Sequence, residues 1–235
     1  LTRPGEKGLS RSTARVLAQR DRVTVLGDGV NLRWIDGQNL APDELARRGS
    51  WGDELRNRRT LLLGGGCVGS IAVEMLARGG VRSLCVLDAH RLEAVNLVRH
   101  TLSLEDVGLE KAERLAMRLS RLSPLVHATA AIGEFPVALA QLGEGDMKAL
   151  DLILDCTASD DVLREIRAIN WAEGALLASL AISAGAKRLY CYVSRAAIFD
   201  NEEFWKELGQ WGSRDEEDRA GVSEIREGRG CYDSV

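Results

Sequence analysis

Thr60-Leu61-Leu62-Leu63-Gly64-Gly65-Gly66-Cys67-Val68-Gly69 is the stretch on which the fold turns. A short uncharged run, mostly leucine, ends abruptly in glycines, which is the pattern of a parallel strand buried on both faces. The glycines follow GxGxxG spacing and open a helix predicted from about Ser70 to Arg78. Gly64 permits a tight turn, Gly66 lets backbone approach a phosphate, and Gly69 lets helix and strand pack closely, so that the helix N-terminus faces a nucleotide. A purely structural glycine turn would use the same residues, but the placement between strand and helix favours the nucleotide.

Outward from this stretch, strands and helices alternate. Leu84 to Leu87 repeats the buried-strand pattern and stops at Asp88, a helix is predicted over Lys111 to Ser120 before Pro124, and Val126 to Ile132 reads as a strand. Leu152-Ile153-Leu154 forms another strand ending at Asp155-Cys156-Thr157, Asp161 to Glu173 a helix, and Ala175 to Leu180 and Leu189 to Val193 further strands. This alternation predicts an α/β fold: a Rossmann-like, doubly wound, mostly parallel sheet with helices on both faces. Upstream, Val23, Val25, Gly27-Asp28-Gly29 and Asn31 to Trp34 read as a hairpin within Arg22 to Ile35, and Ala41 to Arg59 as a helix and basic linker. The expected organisation is an upstream region with linker over 1–57, a nucleotide-binding domain over 58–198 and a polar excursion over 199–235. Asp200 to Arg229 holds ten acids against five bases and also Trp205 and Trp211, suiting a lid, a partner-contact segment or a solvated insertion.

Composition narrows the function classes. The 235 residues carry 31 Lys+Arg against 35 Asp+Glu, a formal charge of −4, with no long basic block to grip nucleic acid. The longest nearly uncharged stretch, Leu176 to Ala186, falls short of the roughly 20 residues of a bilayer-spanning helix. Cys67, Cys85, Cys156, Cys191 and Cys231 are odd in number and dispersed, as expected of reduced thiols in a cytoplasmic protein, and no paired CxxC motifs suggest zinc. The chain starts at Leu1 and stops soon after Cys231, and is read as a fragment of a longer protein.

Asp88 stands 19 residues beyond Gly69, where a carboxylate can accept ribose hydroxyls of either NAD or ATP. Asn96, Arg99 and Lys111 follow on the next loop, and three such side chains suit a triphosphate. His90 and His100 flank the site and read as surface or loop histidines.

Asp88-Ala89-His90, Asn96-Leu97-Val98-Arg99-His100, Val107-Gly108-Leu109-Glu110-Lys111-Ala112, Ser123-Pro124 and Asp155-Cys156-Thr157 resemble the ThiF/HesA/MoeB superfamily over roughly Arg58 to Val193. These enzymes adenylate ubiquitin-like or sulfur-carrier proteins. The resemblance implies that the C-terminal carboxylate of such a carrier attacks the α-phosphate of ATP. The glycine loop and Asp88 would hold nucleotide, while Asn96, Arg99, Lys111 and Mg2+ stabilise phosphate charge. It also implies a homodimer, with an arginine such as Arg47 or Arg48 reaching a partner's triphosphate. Cys231, near Arg226 and Arg229, is the candidate thioester cysteine; the other four cysteines, in or beside predicted strands, read as small buried hydrophobes.

Two departures from the family pattern bear on catalysis. The family commonly has DxD where this chain has Asp88-Ala89-His90, and an acid where it has Ala158. Asp160 or Asp161 could supply the magnesium carboxylate, or serve only as helix N-terminal acids. Without the family's zinc-binding CxxC pairs, the sequence is similar to bacterial ThiF-like proteins of ubiquitin-like conjugation or defence operons. A catalytically inactive ThiF-like binding subunit and an NAD-dependent oxidoreductase remain as alternatives.

Overall fold

The computed structural model describes residues 11–25, 37–46, 51–183, 188–200 and 202–209. Residues 1–39 and 40–235 form two compact units. The described part of the first unit is chiefly one helix, α1 (Arg11–Val25). Val23 and Val25 therefore belong to a helix and not to the first strand of a hairpin. The preceding residues, rich in Ala, Leu, Arg and Gln, are good helix formers and carry the β-branched residues into the last turn. The rest of the expected hairpin, 26–35, lies outside the described residues.

The second unit opens with two short helices, α2 (Pro42–Ala46) and α3 (Asp53–Arg56), in place of one helix and linker. It then builds a six-stranded sheet from β1 (Arg59–Leu63), β2 (Ser83–Asp88), β3 (His127–Ile132), β4 (Leu152–Asp155), β5 (Leu176–Ile182) and β6 (Leu189–Arg195). The spatial order is β3-β2-β1-β4-β5-β6. All neighbours are parallel except β5 and β6. The antiparallel edge follows from chain length: Ile182 to Leu189 leaves no room for a crossover, which takes about a dozen residues or more.

The leucine run of β1 is apolar throughout because both its faces are covered. Leu61 and Leu63 point into one cluster with Leu87, Ile153, Leu163 and Ile166, while Leu62 points into the other with Val73, Leu115 and Leu119. The first face is closed by α7 (Asp160–Ala168), the second by α4 (Cys67–Arg78) and α5 (Lys111–Ser120). A further short helix, α6 (Glu144–Lys148), precedes β4. The doubly wound, mostly parallel sheet expected from the sequence is thus the one observed. Helix α7 stops at Ala168, short of Glu173, because Trp171 turns into the core and donates from Nε1 to the Ile166 carbonyl at 2.8 Å.

Beyond β6 the chain is not merely a polar excursion. Phe199 and Phe204 are buried in the first cluster, with the Tyr192 ring 5.1 Å from that of Phe204, so the helix 202–209 is anchored by aromatic packing. Residues 210–235, including Trp211, lie outside the described residues. No helix among the described residues is long and apolar enough to cross a membrane.

Gly79 caps α4, and the Trp51 indole occupies the position a Cβ there would take, while the Trp51 amide donates to the Gly79 carbonyl at 2.7 Å. Gly79→Ala should cost about 1–3 kcal/mol of overpacking. Gly174→Ala, with open space around it, should stay within about 0.5 kcal/mol of the parent in chemical denaturation.

Candidate nucleotide site

The carboxyl ends of β1, β2 and β4 meet where the strand order reverses, with Leu63 in register with both Leu87 and Asp155. Open α/β sheets bind ligands at this switch point. Here the chain leaves β1, turns through Gly64 at φ +82° and enters α4 with Gly66 at its N-cap. A Cβ on Gly69 would overlap the Gly64 carbonyl oxygen and crowd the Cys156 side chain at 3.2 Å. The helix lies against the strand end at that spacing only because position 69 has no side chain.

Asp88, at the end of β2, anchors the loop. Its Oδ2 accepts from the Gly65 amide at 2.7 Å and its Oδ1 from the His90 amide at 2.7 Å, with the His90 ring Nδ1 at 3.3 Å. Burial raises the Asp88 pKa, but the His90 hydrogen bonds and the charge of Lys111 outweigh it, and the carboxyl is held below its ordinary value. The same contact, with Asp88's charge, lifts the His90 pKa against partial burial.

The segment after Asp88 is pinned at its base. Lys111 donates its amide to the His90 carbonyl at 3.0 Å and Leu92 to the Leu109 carbonyl at 2.9 Å, so the intervening residues project as one closed excursion. Asn96, the last residue of a short 3-10 turn (Ala94–Asn96), and Arg99 sit on it three residues apart, joined by the Arg99 amide to the Asn96 carbonyl at 3.1 Å. Asn96 is buried, and its Oδ1 accepts from the Glu93 amide at 3.1 Å, leaving its NH2 as the group suited to an anion. Arg99 is exposed.

Lys111 is the first residue of α5 and only 2% exposed. An ammonium at a helix N-terminus opposes the macrodipole, and burial lowers its pKa; the charges of Asp88 and Glu93 offset part of that cost. Its charge acts on Asp88, the residue that accepts from the Gly65 amide of the glycine loop.

Two features are not evident in the sequence. His100 is no loose loop residue: its Nδ1 accepts from the Leu102 amide at 3.0 Å, which places the ring proton on Nε2, 2.6 Å from the Gly65 carbonyl that accepts it. Asp155 is 1% exposed and knots the loop after β4, its Oδ1 accepting from Thr157 Oγ1 at 2.7 Å and its Oδ2 from Ser179 Oγ at 2.8 Å. Burial pushes its carboxyl up despite these bonds. The next residues carry Ala158 at φ +53°, exposed, and Ser159, whose Oγ caps α7 through the Val162 amide.

Asp160 lies exposed in the first turn of α7, and Asp161 pairs with Arg164. Among the described residues no three His, Cys, Asp or Glu side chains converge as a metal cage. Cys85 and Cys156 are buried, as read, but Cys67 heads α4 half-buried and Cys191 is exposed on the edge strand β6, so neither of these two is a simple core hydrophobe. Arg47, Arg48, Arg226, Arg229 and Cys231 lie outside the described residues.

The ThiF family model matches residues 39–204. The chain belongs to the ThiF family. It is 34% identical over 168 residues to the ATP-dependent ubiquitin transferase-like protein Cap2 of Enterobacter hormaechei, covering 72% of this chain and 28% of that one. It is 32% identical over 105 residues to the adenylyltransferase and sulfurtransferase UBA4 of Yarrowia lipolytica, covering 44% and 26%. The crystal structure of E. coli MccB with ATP aligns with a TM-score of 0.48 at 19% identity, over 69% of this chain and 49% of that one. This ThiF-family chain thus spans only about a quarter of the length of these two curated relatives.

Two predictions concern the titrating groups. His100 has its pKa lowered, first by burial, so the native state disfavours the proton. Its contribution to stability is complete above the ordinary value of 6.5 and is lost as pH falls through the folded value. The stability difference between parent and His100→Asn, from urea titrations at several pH values, should therefore grow as pH rises toward 6.5 and then level off. Asp155 has the opposite sign for an acid: its raised pKa means that ionisation works against folding as pH climbs above 3.8. Asp155→Asn should be at least as stable as the parent at neutral pH, whereas Asp155→Ala should lose about 1–3 kcal/mol by stranding its buried donors.

Proposed function

We propose that this chain adenylates the C-terminal carboxylate of a ubiquitin-like or sulfur-carrier protein with ATP, in the cytoplasm and as a homodimer. The observation that carries the reading is the buried Lys111 ammonium, whose charge acts on Asp88, with Asp88 bonded in turn to the Gly65 amide of the glycine loop and Asn96 and Arg99 joined in the adjoining turn. Family membership and relatives named for ATP-dependent ubiquitin transfer and adenylyl transfer agree with it. A hydride-transferring site would leave these three side chains without a shared purpose.

In this reading the Gly64–Gly69 turn and the first turn of α4 face the phosphates, and Asp88 accepts ribose hydroxyls as the exposed His90 ring yields its place. Arg99, Lys111 and the Asn96 amide neutralise phosphate charge so that a second anion, the carrier carboxylate, can approach. A carboxylate oxygen bonds to the α-phosphorus, the α–β anhydride bond breaks, and pyrophosphate leaves with that electron pair. No side-chain nucleophile takes part; positioning and electrostatics suffice.

Magnesium fits as a companion of the triphosphate. Asp160, exposed at the start of α7, is the residue that would hold it, with phosphate oxygens and water as the ion's other ligands. The ion would shield the β- and γ-phosphates. A subsequent thioester on Cys231, its thiolate favoured by Arg226 and Arg229, belongs to the same proposal.

The test is exchange of labelled pyrophosphate into ATP with Mg2+ and carriers ending in glycine. Exchange should require an intact carrier C-terminus and fall about 100-fold in Arg99→Ala and in Lys111→Ala. ATP binding without exchange, with the genuine carrier present, would instead assign a binding subunit, the reading that Ala158 and His90 favour.

A further inference from the structure

The geometry points to His100 as a positioning residue that ties the glycine loop to the Arg99 turn, so that phosphate donors on two separate loops are held as one unit. The inference rests on the nucleotide-binding reading above, which assigns His100 no part. A run of three glycines has more backbone freedom than any other tripeptide and no side chains with which to hold itself. Its order has to come from hydrogen bonds supplied by neighbours.

Gly65 receives two. Asp88 takes its amide at 2.7 Å, and His100 Nε2 donates to its carbonyl at 2.6 Å. Because a trans peptide is planar, with its N–H opposite its C=O, fixing the Gly65 carbonyl toward His100 aims the Gly66 N–H the other way. His100 thereby sets the direction of a donor at the N-cap of α4 without touching a ligand itself.

The other end of the tie is covalent. His100 follows Arg99 directly, and its ring is oriented by the Leu102 amide on Nδ1 at 3.0 Å. The Thr101 amide adds a long contact of 3.4 Å to Ser70 Oγ in the first turn of α4. The turn bearing Arg99 is thus docked on the glycine loop and on the helix that follows it. Only the neutral ring with its proton on Nε2 satisfies both of its bonds. The charged groups facing it are Asp88 from β2 and Asp106 from the turn before α5, which favour protonation, and Lys111 from α5, which opposes it.

The chemistry separates two conservative substitutions. Glutamine can place an amide NH2 where Nε2 lies and keep the tie to Gly65. Asparagine can place an oxygen where Nδ1 lies and keep the local turn through Leu102, but it is too short to reach Gly65. Equilibrium binding of ATP and of adenosine by the full chain, in parent, His100→Asn, His100→Gln and Arg99→Ala proteins, tests the tie. Loss of one aligned hydrogen bond of this kind predicts about ten-fold weaker ATP binding in His100→Asn and less than about three-fold in His100→Gln. Adenosine, which lacks phosphates, should bind all four alike. Parent-like ATP affinity in His100→Asn, equal losses for Asn and Gln, or a matching loss for adenosine would overturn the inference while leaving the nucleotide site intact. Failure of the parent to bind ATP, with Arg99→Ala no different, would instead remove the nucleotide-binding reading and the inference with it.

Discussion

The hydrogen bond from the Gly65 amide to the buried Asp88 carboxylate is the interaction on which the rest of the site depends. It joins the end of β2 to the loop leaving β1, fixing where α4 begins. The sheet supplies the frame, since β1 lies between β2 and β4, and its leucines alternate between two cores. Gly69 supplies the clearance, because any larger residue would push α4 off the strand end. A loop so short and so rich in glycine is directed by what lies around it: Asp88 beneath, His100 beside, and the Asp155 knot at the neighbouring strand end.

Charge is distributed to match. Asp88 is kept ionised by His90 and Lys111, while Lys111 is tolerated in the interior because Asp88 and Glu93 offset burial. Asp155 is driven by its own burial toward the protonated form, and it orders Thr157 and Ser179 as a structural group. Acids closing two strands of one sheet thus take different parts according to their surroundings. The first has a cation and the turn's amides; the second has two hydroxyls and an amide. Ala158 sits in the left-handed region just beyond, where the family commonly carries an acid, and the nearest carboxylate in sequence after it is Asp160 at the start of α7.

Most of the sheet is legible in the sequence because each central strand is an apolar run bounded by Gly, Pro or Asp, and because Lys111 to Ser120 has a clean helical period. The errors have local causes. Val23 and Val25 have the alternation of a strand but follow too many helix formers. Helix α7 ends early because Trp171 finds its partner in the core, a tertiary effect that periodicity does not register. The polarity of 199–209 hides Phe199 and Phe204, which face inward from a segment otherwise rich in charge. Within the site, Asp88, Asn96, Arg99 and Lys111 stand out by spacing and chemical type. His100 does not, because a histidine after an arginine carries no sign of the carbonyl it will meet some 35 residues earlier in the chain. The Asp155–Ser179 contact is equally silent, joining neighbouring strands through a register that only the folded sheet defines.

The central claim is that the glycine loop, the Asn96–Arg99 turn and Lys111 form a single triphosphate site. A crystal structure of the chain with a non-hydrolysable ATP analogue tests it most directly. The account predicts phosphates against the first turn of α4, with Arg99 and Lys111 within hydrogen-bonding distance of them and Gly65 still bonded to Asp88. Nucleotide bound elsewhere, or phosphates in the glycine loop with Arg99 and Lys111 both turned away, would contradict it.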